Sequence, residues 1–256
     1  MAALTGDLTP TIYLILTVVA FAAGFISAIA GGGGIITLPA LLWAGIPPLD
    51  ALGTNKFQSV FGTLSSAINF FQKGYLDLRQ LWPGLVAAVC GSALGTWSVT
   101  RLGGEQLDTL LPVLLIGIAL YFAFSPRIAD VDAKPRMPHG LFNLVVGGGI
   151  GFYGGFFGPG MGSIYALAFA ALLGYNMRRA TAHTKPLVLA TNATSMFIFM
   201  AGGHLLLGLA VSMSAAQFVG ARLGSNLVIA RGARLIRPII IIATIAVAVK
   251  LLIDRG

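Results

Sequence analysis

Apolar residues in this chain run on for about twenty positions at a time, with polar residues gathered in short gaps between the runs. The pattern predicts helical segments at about 11–30, 35–46, 55–72, 81–100, 107–124, 140–157, 162–174, 184–202, 206–229 and 235–253. Most of these approach the ~20 residues a helix needs to cross ~30 Å of hydrocarbon, where only helices and closed barrels satisfy their backbone. The apolar–polar alternation of a barrel strand is absent. An all-α polytopic membrane protein of about 8–10 helical segments follows. Segments 35–46 and 162–174 are too short for confident crossings, so each either pairs with the helix before it or dips in as a re-entrant, glycine-broken hairpin.

Composition strengthens this reading, because 57% hydrophobic and 9% charged residues leave too little polar surface for a soluble globule of 256 residues. The net charge of +8 would suit nucleic acid if it were clustered. The basic residues instead stand singly or in pairs near helix ends, the mark of positive-inside bias. Cys90 has no second cysteine to pair with and reads as a small core residue of an apolar helix. The run 12–26 followed by Ala28-Ile29-Ala30 imitates a signal peptide, but Asp7 and the lack of a basic residue ahead of it argue against cleavage.

The chain repeats itself. GFISAIAGGGG at 24–34 returns as GFYGGFFGPGM at 151–161, and ALGTNKF at 51–57 returns as ATAHTKP at 180–186. An offset of 127 pairs Gly24 with Gly151 and Gly31 with Gly158. After a two-residue shift, an offset of 129 pairs Lys56 with Lys185, Gly45 with Gly174, Gly74 with Gly203 and Gly91 with Gly220. Two transmembrane repeats are expected, 11–125 and 138–254, joined by a polar cytoplasmic linker at 126–137. Corresponding loops differ in charge: the loop near Asp50 has no basic residue, whereas its counterpart carries Arg178 and Arg179. Placing every basic loop in the cytoplasm makes the halves antiparallel, with both termini outside it. Inverted repeats of this kind are a common plan of secondary transporters, which hold substrate where the halves meet.

Candidate chemistry concentrates at two motifs. Gly31, Gly32, Gly33 and Gly34 should break a helix, since each costs ~1 kcal/mol against alanine. The segment that follows would then offer unpaired N–H groups and a dipole end to an anion. Gly158, Gly160 and Gly162 around Pro159 repeat the arrangement. Close helix packing is the competing reading, and it is the preferred one for Gly91, Gly95, Gly220 and Gly224. The second motif, Thr54-Asn55-Lys56 with its image His183-Thr184-Lys185, places a lysine at the start of each long apolar run. Such lysines either snorkel to headgroups or compensate a permeating anion from both faces. Asn192 and Thr191, with Ser59 and Thr63 in the first half, are either polar lining or interhelical glue. All eight acidic residues lie in loops or near helix ends, which disfavours a cation exchanger. The three histidines form no metal-ligand spacing with cysteines or carboxylates, and no G-x-S-x-G or phosphate loop is present, so neither enzyme chemistry nor a metal or cofactor is expected.

AGGGGIITLPALLWAGIPPLDALGTNKFQ, with GFYGGFFGPGMGSIYALAFAALLGYNMRRATAHTK later, resembles the TauE/SafE sulfite-exporter family and its YfcA-like branch. The resemblance covers roughly 11–254 and implies an inner-membrane carrier of small sulfur-containing anions such as sulfite, sulfoacetate or thiosulfate, usually moved outward. The second half departs from the first where Pro159 interrupts the glycines and His183 replaces Thr54. The expectation is a multi-pass secondary carrier working by alternating access. Its anion would sit between Gly31–Gly34 and Gly158–Gly162, with Lys56 and Lys185 supplying charge and Thr54, Asn55, His183, Thr184 and Asn192 hydrogen bonds. His183 is the candidate for proton coupling. The partners are the anion and the lipid bilayer, not nucleic acid; faces rich in small residues permit a homodimer or packing within one chain. An anion channel and an accessory subunit of a sulfur-metabolising system are the alternatives.

Overall fold

The computed structural model describes residues 8–76, 78–124 and 131–231, and among these every regular element is helical. The elements are α1 (Pro10–Ala30), α2 (Gly34–Trp43), α3 (Pro48–Gln72), α4 (Trp82–Val99), α5 (Gly104–Phe124), α6 (His139–Phe142), α7 (Gly148–Phe156), α8 (Met161–Leu173), α9 (Met177–Ala201) and α10 (Leu207–Arg231). A π-helical stretch, Asn143–Gly147, joins α6 to α7, so the expected segment 140–157 is one helix with a widened turn. The Tyr165 hydroxyl donates to the Gly147 carbonyl within that turn at 3.0 Å. The expected segment 235–253, residue 125 and linker residues 126–130 lie outside the described residues.

Two helices begin earlier than the apolar pattern predicts. α3 starts at Pro48 rather than 55, and α9 at Met177 rather than 184. Each start has a local cause: Pro48 stands at the first helical position, and the Asn176 side chain accepts from the Arg179 N–H at 2.9 Å. Most polar residues between these starts and the apolar runs, Asp50 and Thr54 in α3 and Thr181 and His183 in α9, are buried by neighbouring helices while Arg178 and Arg179 stay partly exposed, so the backbone stays helical where hydropathy reads a loop. The lysines therefore sit inside helices, not at their beginnings.

Burial departs from that of a soluble protein, since polar residues join the apolar ones inside and large apolar ones face out. Thr37, Gln58, Ser92, Thr96, Thr191 and Ser195 are fully buried, whereas Leu14, Trp82, Leu94, Leu144 and Phe197 are more than 60% exposed. Large apolar side chains facing outward on several helices, with α1 long and apolar enough to cross a bilayer, describe a membrane protein. The same pattern corrects the reading of Cys90, which is exposed. α4 buries its small face, Ala88, Gly91 and Gly95, and turns Val86, Val89 and Leu94 outward, so an apolar setting did not mean an interior one.

The halves interleave. α1 packs on α10 and α7 on α4, each crossing from one half to the other. Gly91 and Gly95 on α4 meet the α7 backbone, where an added Cβ would come within 2.8 and 2.7 Å of the Phe152 and Phe156 nitrogens. Gly220 and Gly224 meet α1 in the same way, a Cβ at Gly220 falling 3.1 Å from the Phe25 nitrogen. Both contacts obey the offsets read from sequence, since 91 + 129 = 220 and 25 + 127 = 152. These four glycines serve close packing, as expected. α10 also packs on α3, and α4 on α9, so each half lends its fourth helix to the other.

Backbone conformation repeats as well. Gly31 (φ 78°) and Gly158 (φ 103°), Gly45 (78°) and Gly174 (70°), and Gly74 (73°) and Gly203 (77°) form three pairs of left-handed glycines at the expected offsets. Gly160 (φ 80°) has no such partner, because Gly33 is right-handed.

Candidate functional site

Both glycine runs end a helix and start a short one. α1 stops at Gly31, whose N–H bonds the Ser27 carbonyl at 2.8 Å, and α2 begins three residues later. α7 ends before Phe157, and α8 begins at Met161. α2 has 10 residues and α8 has 13, about 15 and 20 Å of rise, well short of a bilayer. Neither start has a side-chain cap. Turn bonds to the Gly32 and Gly33 carbonyls engage Ile35 and Ile36, and no backbone bond of the Gly34 or Gly162 N–H is found among the described residues. The set of N–H groups left open at these helix starts is thus narrower than four per helix.

The two breaks touch each other. A Cβ on Gly162 would lie 2.7 Å from the Gly31 Cα, and one on Gly34 would lie 3.2 Å from the Pro159 Cα, so no side chain fits between them. The Ser163 hydroxyl donates to the Ala30 carbonyl, and the Tyr153 hydroxyl to the Pro159 carbonyl at 2.6 Å. The Ser163 bond ties one break to the other, and the Tyr153 bond braces the second break on its own α7.

Each lysine then crosses to the opposite half. Lys56 donates its Nζ to the Gly154 carbonyl on α7, and Lys185 donates its Nζ to the Ser27 carbonyl on α1 at 2.9 Å. Ser27 and Gly154 are themselves repeat partners, since 27 + 127 = 154. The bonds are reciprocal images of one another. Lys56 is 1% exposed and Lys185 3%, so neither snorkels to a surface. Among the described residues no ion pair reaches either lysine; the acidic side chains pair elsewhere, Asp50 with His204 at 3.0 Å and Asp132 with Arg179 at 3.6 Å. A buried cation without a counter-charge costs several kcal/mol, and a carbonyl dipole offsets only part of that. The Lys56 ammonium also lies against Gly158, where any side chain would displace it.

The neighbouring polar residues divide. Asn55 belongs to the breaks: Thr37 and Gln58 both donate to its Oδ1, at 2.6 and 3.1 Å, which turns its Nδ2 toward Gly34. Thr184, its partner in the repeat, is buried but donates its hydroxyl to the Thr181 carbonyl one turn back, at 2.8 Å. Thr54 accepts the Leu206 N–H at 3.3 Å and so holds the corner between α9 and α10. His183 lies among aromatic rings, 5.1 Å from Tyr175 and 5.9 Å from Phe169, with Nδ1 2.8 Å from the Arg179 carbonyl. Asn192 and Thr63 are both buried at repeat-related positions. Ser92 donates to the Thr191 carbonyl at 2.8 Å and Thr96 to the Ser195 hydroxyl at 2.9 Å, so that column ties α4 to α9. Sequence reasoning missed Thr37, Gln58 and the two carbonyls. Gln58 was legible as the residue one turn after Asn55, and the carbonyls only through the shared offset.

The profile of the sulfite exporter family TauE/SafE matches residues 16–251. The chain belongs to the TauE/SafE family. A probable membrane transporter protein of Haemophilus influenzae is 43% identical to it over 250 residues, 98% of each chain. The probable membrane transporter protein YfcA of Escherichia coli K12 is 42% identical over 247 residues, 96% of this chain and 91% of its own, which fits the YfcA-like branch. A sulfite exporter TauE/SafE family protein 6 of Arabidopsis thaliana is 29% identical over 109 residues, 42% of this chain and 26% of its own. No solved structure gives a significant match. This TauE/SafE chain is a membrane transporter, and its crossed lysines and apposed helix breaks are features of a transporter interior.

Proposed function

We propose that this protein is a multi-pass secondary carrier of the bacterial inner membrane that exports small sulfur-containing anions such as sulfite, sulfoacetate or thiosulfate. The observation that carries the reading is the reciprocal pair of buried lysines, each donating to a carbonyl of the opposite half beside a broken helix. Two cations without carboxylates call for a mobile counter-charge, and an anion admitted where the apposed breaks part would supply it. In this reading Gly31–Gly34, Gly158, Gly160, Gly162, Lys56, Lys185 and Asn55 meet the anion directly. Thr184 and Asn192 line its path, and Thr54 and His183 hold the elements behind it.

Repeats at 11–125 and 138–254, inverted about the linker 126–137, would present the site alternately to each side. The interleaving modifies the motion expected of two sequence halves. The units that would rock are α1, α2, α3, α5 and α10 against α4, α7, α8 and α9, because α4 and α10 pack with the opposite half. Counterflow tests the carrier. Proteoliposomes preloaded with unlabelled sulfite should accumulate radiolabelled sulfite transiently and saturably; a non-saturating leak without counterflow would replace the carrier with a channel.

A further inference from the structure

The candidate anion site is built almost wholly of donors: two ammonium groups, the Asn55 amide nitrogen and helix-start N–H groups. Two buried carbonyl oxygens beside it break that pattern. Gln58 on α3 is fully buried; its Nε2 donates to Asn55, and its Oε1 has no partner. Gln217 on α10 is 2% exposed, and its Oε1 has no partner either.

Gln217 packs on the face of α3 that carries Gln58. The Gln217 side chain lies over Gly24 on α1 and Gly62 on α3, where an added Cβ would come within 2.8 and 2.7 Å of its Cγ. Gly62 follows Gln58 by one turn on the same face of α3. Gly24 precedes Ser27, the residue whose carbonyl takes Lys185, by just under one turn of α1. Gln217 thus packs on α1 one turn before the residue whose carbonyl takes Lys185.

The repeat supplies an internal control. Leu187 occupies the position equivalent to Gln58, and Ala88 the one equivalent to Gln217. The helix contact is retained there, with a Cβ on Gly151 falling 2.7 Å from the Ala88 Cα as Gly24 meets Gln217. Leu187 is 1% exposed and Ala88 fully buried, so the fold fills these places with apolar groups. Packing does not require two amides, and a buried carbonyl left without a donor is unfavourable.

We propose that Gln58 and Gln217 are specificity residues that narrow the cargo above to an anion bearing its own O–H or N–H donor, as hydrogen sulfite does, over a fully deprotonated oxyanion such as thiosulfate or sulfoacetate. The inference rests on the anion-carrier reading above. The lysines and N–H groups take the anionic oxygens, and the glutamine carbonyls take the substrate's hydroxyl or amino hydrogen. A bare oxyanion leaves both carbonyls unsatisfied.

The test compares 2-hydroxyethanesulfonate with propane-1-sulfonate, which replaces the hydroxyl by a methyl group, using calorimetric titration of the detergent-solubilised full chain. Wild type should bind the hydroxyl compound about tenfold more tightly, the worth of one buried hydrogen bond. The ratio should fall toward one in whichever of Gln58→Leu and Gln217→Leu removes the carbonyl that accepts this single hydroxyl hydrogen. Equal affinity in wild type overturns the inference, as does an undiminished ratio in both variants; the wild-type ratio decides even if a variant fails to fold. Binding of thiosulfate or sulfate but neither sulfonate also overturns it while leaving the anion reading intact. Binding of no anion at all overturns both.

Discussion

The surroundings of Lys56 and Lys185 share a backbone but not a set of side chains. Both lysines are buried inside helices, both donate across the interface to repeat-related carbonyls, and both lie beside a left-handed glycine. Around Lys56, Thr37, Asn55 and Gln58 form a bonded amide cluster. Around Lys185, Thr184 bonds its own helix, Leu187 replaces the glutamine and His183 joins an aromatic group. Duplication has kept the helix breaks and the two cations while letting the neutral hydrogen-bonders diverge. In the proposed anion-carrier reading, charge compensation is a demand on both halves, whereas orienting one small ligand needs polar groups from one side only.

The largest expected break in this comparison comes from the glycines at the seam. Gly31→Ala and Gly158→Ala each force a side chain into a left-handed backbone, the first against Gly162 and the second onto the Lys56 ammonium. Gly31→Ala, which meets backbone, should abolish well-folded protein, read as loss of the monodisperse peak in size-exclusion chromatography, whereas Gly158→Ala, which meets the movable end of Lys56, should lower Tm. Gly45→Ala and Gly74→Ala have the same backbone but nothing within 4 Å, and should cost only about 1–2 kcal/mol in a melting experiment. Next come the lysines: Lys56→Met and Lys185→Met should each weaken anion binding about 100-fold, since each removes a charge-assisted contact. A smaller effect sharpens the asymmetry, because Asn55→Ala should reduce affinity about tenfold and Thr184→Ala no more than about twofold. The smallest concerns His183, whose Nδ1 lies at a backbone carbonyl in an aromatic setting. His183→Gln should leave the pH profile of transport unchanged between about pH 5.5 and 8.

Much of this was legible in the chain. Apolar runs located the helices, and glycine spacing located both breaks and the packing role of Gly91, Gly95, Gly220 and Gly224. What hydropathy obscured has one physical origin: inside a membrane protein the polar face turns inward. The stretches before Lys56 and Lys185 looked like loops because they are polar, yet they are buried helix. Cys90 looked like core because its helix is apolar, yet it faces outward. Interleaving was hidden for another reason. Which helix a glycine face meets is a tertiary fact, and the matching offsets of Gly91 and Gly220 became informative only once their partners on α7 and α1 were seen.

The central claim is that one anion lies between lysines contributed by opposite halves. Thermal unfolding of wild type, Lys56→Met and Lys185→Met against sulfite, thiosulfate, sulfate, sulfoacetate, taurine, phosphate and chloride tests it most directly. A ligand present at ~100 Kd should stabilise the native state by ~2.7 kcal/mol. The account predicts a selective rise in Tm for one of these anions in wild type and its loss in both variants. A shift that either variant retains, or no shift with any anion, would contradict it.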